Sequence, residues 1–264
     1  MIPRDYITEW RSRAPWADNA QVEQDLVICR ALVNIFSHPV LGDALAFRGG
    51  TALYKLYLTP AARYSEDIGL VQVRAEPAGA VMDALRTVLD PWLGAGKWKQ
   101  TEGRLTFNYR FASEDPTPLP LRLKVEVNTR EHFAEHGFRR APFAVASRWF
   151  NGACDITTYD LDELLGTKLR ALYQRRKGRD LFDMATALSR GGVDPARIVA
   201  AFRRYMDEGG HHVTRAEFED NLAAKLEDNR FLSDIPPLLA MGQSWNAVHA
   251  AALVVERLCP LLLP

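Results

Sequence analysis

One stretch, Phe47–Val73, constrains the chain more than any other; it reads FRGGTALYKLYLTPAARYSEDIGLVQV. It joins a Gly-Gly-Thr turn (Gly49, Gly50, Thr51) to an amphipathic helix and an acidic strand start at Asp67. Glycines at a helix start let backbone N–H groups converge on an anion, and the helix dipole adds partial positive charge. The later aspartate can hold a hard divalent cation beside that anion. Phosphate on the turn and metal on the carboxylate together describe a nucleoside triphosphate site, but a Gly-Gly-Thr turn taken alone is more often only a surface turn beside a helix and a charged strand end.

The periodicity of apolar residues divides the chain into an α/β first part and a helical second part. The α/β part is predicted over residues 1–152 and the helical part, a bundle, over 153–264. Two capping boxes in the second part, at 160–163 and 214–217, mark helix starts. Alternation and helical spacing predict helices over 19–37 and 78–89, an extended run over 44–48, and strands over 67–73, 104–111 and 121–128, the last two pairing antiparallel.

Composition sets bounds on location and partners. The chain has 264 residues, 47% of them hydrophobic, and no formal net charge, so any nucleic-acid contact must come from a local basic patch. Its three cysteines are odd in number and lack a paired spacing, which favours a reducing compartment. The N-terminal residues lack an apolar leader segment, and no apolar run reaches membrane-spanning length. We therefore expect a cytoplasmic protein without a membrane partner.

A basic segment follows in the predicted bundle, where six of the twelve residues 168–179 are Lys or Arg. Such a run is commonly a solvated helix face. Lys168 differs, because it continues the apolar stripe formed by Leu161, Leu165 and Leu172 at helical spacing. A buried ammonium is costly without a partner, so Lys168 is expected to meet a carboxylate or a ligand.

Two further polar groups are open to more than one interpretation. Lys124, Glu126 and Asn128 share one face of a predicted strand, a pattern that on its own favours a solvated edge. His132 and His136 are four residues apart and could bind a metal if helical, but no third ligand is evident.

The runs GGTALYKLY, RYSEDIGL and KLRALYQRRKGRDLFD together resemble the AbiEii/AbiGii family of nucleotidyltransferase toxins, which includes the Men toxins of mycobacteria. That family's pattern is roughly GG[ST]-x-L-x-K, then R-[FY]-S-x-D-[IL]-D-L, and finally a lysine helix followed by R-D-x-x-D. This chain departs from the pattern at one position, since Gly69 replaces the second aspartate of D-x-D. The departure lies on the expected metal site.

The resemblance implies a nucleotidyltransferase-like mixed sheet flanked by helices, followed by the bundle, an α+β fold. It also implies one or two Mg²⁺ ions on Asp67 and Glu126, with Glu126 either a metal ligand or a general base. Lys168 would bind the triphosphate, and Asp180 or Asp183 would orient it or the nucleotide; Asp183 is the favoured one of the two. The nucleotide-binding residues implied are Arg48, Gly49, Gly50, Thr51, Ser65, Lys168 and Arg179.

The function implied is that of a toxin moving a nucleoside monophosphate from a nucleoside triphosphate to RNA, with the 3′ end of tRNA as acceptor and a cognate antitoxin as partner. The run Arg170–Arg179 would guide the acceptor. Gly69 implies an impaired enzyme, and the sequence leaves open whether this glycine is natural or acquired. One rival is a non-catalytic relative that binds nucleotide, RNA or its partner; another is a helical interaction protein with a structural α/β half.

Overall fold

Seven strands form one mixed sheet in the computed structural model, which describes residues 2–115 and 117–264. They are β1 (Leu45–Arg48), β2 (Asp67–Gln72), β3 (Lys97–Thr101), β4 (Arg104–Ala112), β5 (Pro120–Asn128), β6 (Phe138–Ala146) and β7 (Asn151–Tyr159). Their spatial order is β3-β4-β5-β2-β1-β7-β6. The pairs β2/β5 and β1/β7 are parallel and the others antiparallel. The order places β5 beside β2, although about 50 residues separate them in the chain.

The chain has two compact units. The first contains the sheet and its helices and consists of the residues up to Phe133 together with Gly137–Tyr159. Its helices are α1 (Arg4–Trp10), α2 (Asn19–Ser37), α3 (Pro39–Ala44), α4 (Gly49–Ala52), which continues as a π-helical segment over Leu53–Tyr57, and α5 (Gly79–Leu93). Helix α2 packs against β5 and β7, and alternate apolar side chains of β4 and β5, such as Phe107 and Val125, are fully buried. Because side chains alternate between faces, the polar residues of these strands lie on the opposite face.

The second unit, Ala134–His136 with Asp160–Pro264, is helical. Its elements are α6 (Leu161–Gln174), α7 (Gly178–Arg190), α8 (Pro195–Glu208), α9 (Arg215–Leu226), α10 (Asn229–Leu232) and α11 (Ala247–Leu258), with short 3₁₀ turns at Pro236–Leu238 and Cys259–Leu261. Helix α6 packs against α7 and α8, and α7 packs against α11. Over the described residues, every helix is too short or too polar to cross a membrane.

The predicted α+β architecture is confirmed, including α2 over residues 19–37 and the antiparallel pairing of β4 with β5. Strands β3, β6 and β7 were not predicted, and β7 extends across the predicted domain boundary. The capping box of Thr214 with Glu217 is confirmed. The one predicted at Asp160 is wrong in part: Asp160 accepts the Asp162 N–H as N-cap, but Glu163 instead accepts the N–H groups of residues 135 and 136.

Candidate functional site

The Gly-Gly turn directly follows β1 and opens α4, and the structure favours glycine at both positions. Gly49 has φ +88°, a backbone conformation that residues with a side chain rarely adopt. At Gly50, an added Cβ would lie 2.6 Å from Nη2 of the buried Arg63. Arg63 in turn donates to the Tyr64 carbonyl and lies over the Tyr54 ring. The buried Arg63 guanidinium therefore packs directly against the turn at Gly50.

Hydrogen bonds attach this turn to the start of β2. The Thr51 hydroxyl donates to the Asp67 carbonyl at 2.5 Å, and its oxygen lies 2.8 Å from the Ser65 hydroxyl. Because a hydroxyl has a single proton, Ser65 is the donor in the second bond. Thr51 and Ser65, two of the residues that the resemblance assigns to nucleotide binding, are thus hydrogen-bonded to each other, and the Thr51 bond holds the turn close to Asp67.

Asp67 and Glu126 lie on adjacent parallel strands, two residues apart in register, because Asp67 pairs with Lys124 and Gly69 with Glu126. Both carboxylates therefore lie on the polar face of the sheet. The Lys124 ammonium lies between them, 2.7 Å from Glu126 Oε2 and 3.4 Å from Asp67 Oδ2. Asp67 Oδ1 is buried and accepts no hydrogen bond from any residue that the structure describes. Arg104 is a second cation near Glu126, at 3.5 Å.

Gly69 is on β2, where its register partners are Arg48 of β1 on one side and Glu126 of β5 on the other. An added Cβ would approach the Arg48 carbonyl oxygen to 3.1 Å, so a side chain here requires a small backbone shift. Because glycine has no side chain, the polar face carries only the carboxylates of Asp67 and Glu126 near this position on β2 and β5. Within the described part of the chain, no group of three or more His, Cys, Asp or Glu side chains could hold a metal ion.

A buried network around Asp25 was missed by sequence reasoning. Lys55, the lysine of the Gly-Gly-Thr motif, lies 2.7 Å from Asp25, whose carboxylate also accepts the indole N–H groups of Trp10 and Trp16. Burial disfavours the charge on Lys55, but Asp25 and Cys29 together raise the pKa of its amine above the usual value. Burial likewise raises the pKa of the Cys29 thiol to about 12. Lys55 therefore connects the π-helical segment to α2 through Asp25. The sequence signal for this role is Asp25 itself, a charged residue within the apolar pattern of α2.

Lys168 is buried in the second unit, as its place on the apolar stripe predicts. Its ammonium lies 2.9 Å from Asp180 Oδ1 and 2.9 Å from Asp183 Oδ2, and both aspartates are buried on α7. One cation facing two carboxylates leaves the cluster with an excess negative charge. Arg175 approaches Asp180 to 3.5 Å from the surface and reduces this excess. The expected partner of Lys168 is thus a pair of carboxylates of its own unit.

Other predicted cationic ligands also contact carboxylates. Arg179 forms two 3.1 Å bonds from its guanidinium to Asp234, and Arg48 forms an ion pair with Glu131. In the basic run, Arg176 pairs with Asp228 at 3.3 Å and Lys177 with Asp234 at 3.6 Å. The charge of this run is therefore largely balanced by nearby aspartates.

The two histidines do not form a metal pair. A spacing of four residues aligns two side chains only within a helix, and both His132 and His136 lie outside any helix. The ring of His132 contacts the Gln72 carbonyl at 2.8 Å, and that of His136 contacts the Arg197 carbonyl at 3.0 Å. Each residue serves local structure.

Comparison with known proteins identifies the chain's family. Residues 30–252 match the family model described as AbiEii, the nucleotidyl transferase toxin of type IV toxin–antitoxin systems. The chain belongs to this family. The resemblance to this family seen in the sequence is confirmed.

Two solved structures show the same fold. MenT4, a nucleotidyltransferase toxin from Mycobacterium tuberculosis, superposes with a TM-score of 0.66 at 19% identity, over 97% of this chain and 88% of that one. A putative nucleotidyltransferase from H. pylori gives a TM-score of 0.56 at 17% identity, over 93% and 95% of the two chains. A search among curated protein sequences finds no match. Family and fold together make this chain a nucleotidyltransferase-type toxin.

Proposed function

We propose that this AbiEii-family chain transfers a nucleoside monophosphate from a nucleoside triphosphate to an RNA 3′ hydroxyl, with tRNA as the acceptor. The observation that supports the proposal best is the pair Asp67 and Glu126 on one face of adjacent strands, beside the Gly-Gly turn. In the reaction, the acceptor oxygen bonds to the α-phosphorus, and the bond from that phosphorus to the β-phosphate oxygen breaks. Pyrophosphate leaves, and the proton of the acceptor hydroxyl passes to solvent or, where Glu126 acts as the general base, to that carboxylate.

The donor set fits one divalent cation. Carboxylate oxygens are the ligands that Mg²⁺ prefers, and Asp67 Oδ1 is a buried oxygen with no hydrogen-bond donor among the described residues. Asp67 and Glu126 would hold the ion. The chemistry that a bound Mg²⁺ would supply there is neutralisation of charge on the phosphates and on the leaving pyrophosphate. A second ion has no carboxylate at Gly69 to hold it, so we propose that this glycine lowers activity without abolishing nucleotide binding.

The chain's own groups would position the substrate. The first N–H groups of a helix have no intrahelical partner, so the turn at Gly49 and Gly50 offers donors to the β- and γ-phosphates. Thr51 and Ser65 would act through their mutual hydrogen bond, which fixes the turn relative to Asp67. Five further residues remain proposals for the nucleotide site: Arg48, Arg179, Lys168, Asp180 and Asp183. Each of them already forms an ion pair, so a bound nucleotide would have to share or displace the present partner.

The test is transfer from each α-labelled nucleoside triphosphate to total tRNA, with Mn²⁺ binding measured in parallel. Asp67→Asn should abolish transfer and weaken Mn²⁺ binding, because it removes the charge that holds the ion. Asp43→Asn is the matched control, since Asp43 is an exposed aspartate paired only with Arg74 among the described residues. Full transfer and Mn²⁺ binding by Asp67→Asn would overturn the assignment.

A second candidate function is binding without chemistry. It is favoured by one observation: Lys124 already neutralises part of the charge on both carboxylates, at a site that lacks the third one. Such a chain would bind nucleotide equally well with and without Mg²⁺ and would label no acceptor. Calorimetry of nucleotide binding with and without Mg²⁺ separates the two functions.

A further inference from the structure

The polar face of β3, β4, β5 and the start of β2 carries aligned rows of hydrophilic side chains. Register partners in a sheet project from the same side, so a row can be followed from strand to strand. The two rows, read from the edge inward, are Lys97–Asn108–Lys124–Asp67 and Lys99–Thr106–Glu126–Gly69. At about 4.8 Å per strand, they extend roughly 14 Å from the candidate site to the sheet edge.

This face, which we call the basic sheet face, carries far more cations than carboxylates. On the four strands named, its carboxylates are Asp67 and Glu126, and both are contacted by Lys124. Its cations are Lys97, Lys99, Arg104, Arg110, Arg122 and Lys124. Because the whole chain has no formal net charge, this excess is a local feature.

Four of these cations have no acidic partner in the part of the chain that the structure describes. Lys97, Lys99, Arg110 and Arg122 are exposed and form no ion pair with any residue that the structure describes. The run Arg170–Arg179 differs, because Arg175, Arg176, Lys177 and Arg179 are each within 3.6 Å of an aspartate. Unpaired cations are free to neutralise an external anion, whereas paired ones must first give up their partner.

We propose that the basic sheet face binds the sugar–phosphate backbone of an RNA acceptor and directs its 3′ end toward Asp67 and Glu126. The inference rests on the proposed function and names the acceptor surface of that site. Apart from Glu126, the polar side chains that β3, β4 and β5 place on this face are Lys, Arg, Asn and Thr, which contact phosphate and sugar. The exposed Trp98 lies on the other side of β3. Binding should therefore depend on charge and little on base sequence.

A competing explanation exists for the two lysines of β3. This strand forms an open edge of the sheet, and lysines on edge strands oppose edge-to-edge pairing with another chain. That explanation predicts self-association when the lysines are neutralised and no effect on RNA. It does not account for Arg110 and Arg122, which lie on interior strands.

The experiment measures binding of a fluorescein-labelled, mixed-sequence, single-stranded RNA 12-mer by anisotropy at several salt concentrations, without nucleotide. The test variant is Lys97→Gln/Lys99→Gln. The control is Arg230→Gln/Arg257→Gln, which removes two exposed cations of the helical unit that form no ion pair with any described residue. Each lost phosphate contact should reduce the slope of log K against log salt by about 0.7, so the test variant should lose about 1.4. We expect at least a tenfold loss of affinity at low salt in the test variant alone.

Several results would overturn the proposal: equal loss in both doubles, an unchanged slope in the test variant, or no RNA binding by the unmodified chain. Self-association of the test variant with RNA binding intact would assign the lysines to edge protection instead. Binding of a fluorescent ATP analogue is measured on the same samples. If the chain and the test variant bind nucleotide alike and only RNA binding changes, the surface and the nucleotide site are separate. If RNA binding follows the prediction but no nucleotide binds, the proposed function is wrong and the surface still stands.

Discussion

The ammonium of Lys124 lies 2.7 Å from Glu126 Oε2 and 3.4 Å from Asp67 Oδ2, so a single lysine bridges two carboxylates on adjacent strands. The three side chains are only partly buried, which lets solvent and ions reach them. A divalent cation bound by the same carboxylates has to displace this ammonium or tolerate its charge. Lys124 therefore lowers the metal affinity that two carboxylates alone would have.

Replacing Lys124 by Met should tighten Mn²⁺ binding by about tenfold, because one unit of competing positive charge is removed next to the ligands. The measurement is Mn²⁺ titration followed by electron paramagnetic resonance. Lys97→Met serves as the control: it removes the same charge from the same face but lies three strands from Asp67. Equal changes in both variants, or weaker binding in Lys124→Met, would contradict this.

Lys168→Met should destabilise the second unit by about 3–5 kcal/mol, because it removes the ammonium that lies 2.9 Å from each of two buried carboxylates, those of Asp180 and Asp183. Urea unfolding measures the change. Lys177→Met is the control and should cost less than about 0.5 kcal/mol, since Lys177 is an exposed partner of Asp234. A small effect of Lys168→Met on stability, combined with a complete loss of nucleotide binding, would identify Lys168 as a phosphate ligand first and a structural residue second.

The elements with strong periodicity were predictable from the sequence. Strands β4 and β5 alternate between buried apolar and half-exposed polar residues, so their pairing and the shared face of Lys124 and Glu126 follow from the pattern. Strand β3, KWKQT, is exposed at every position and thus lacks the contrast that marks a strand. β6, at the other edge, is exposed at most positions.

The partners of the polar residues were much harder to predict. The need of Lys168 for a partner was predictable from its place on the apolar stripe. Its partners, Asp180 and Asp183, lie on the next helix along the chain, in the same unit. Asp25 and Lys55 are 30 residues apart in the chain, and Arg48 and Glu131 are 83 apart. Such pairs form only when distant segments of the chain assemble. A local pattern can therefore mark Asp25 as a polar residue in an apolar helix, but it cannot name its partner.

Glu23 gives a pH-dependent prediction. The residue is 1% exposed. One carboxylate oxygen accepts the Glu114 N–H at 2.9 Å, and the other has no hydrogen-bond partner in the described part of the chain. Burial raises the pKa of Glu23 from 4.5 to about 7. The folded state therefore binds this proton more tightly than the unfolded state does, and stability falls as the pH rises from about 4.5 to about 7.

Glu23→Gln should remove this loss, because the amide stays neutral while its oxygen still accepts the Glu114 N–H. The expected result is a higher urea midpoint than the unmodified chain at pH 8 and little difference at pH 4.5. Glu9→Gln is the control, since Glu9 is exposed and paired with Arg148. A gain of equal size at both pH values would show that the effect does not come from the ionisation of Glu23.

The last prediction concerns Gly69. Gly69→Asp adds a carboxylate on the face of Asp67 and beside Glu126, its register partner. A third oxygen donor should tighten Mn²⁺ binding and raise transfer to tRNA by about 10²–10⁴, the range expected when several kcal/mol of transition-state stabilisation are recovered. The new Cβ meets the Arg48 carbonyl oxygen at 3.1 Å, so we also expect a cost of about 1 kcal/mol, or roughly 2–4 °C in Tm.

Gly69→Ala separates these two effects, because it places the same Cβ against the Arg48 carbonyl without adding a carboxylate. It should lose the same 2–4 °C or so in Tm and gain neither metal affinity nor transfer. Transfer to tRNA, Mn²⁺ titration and growth arrest on induced expression are compared for the three chains. If Gly69→Asp binds Mn²⁺ no better than Gly69→Ala and labels no acceptor, the missing carboxylate does not limit activity. Binding without chemistry then becomes the better account of this chain, since the Lys124 bridge already balances the two carboxylates that remain.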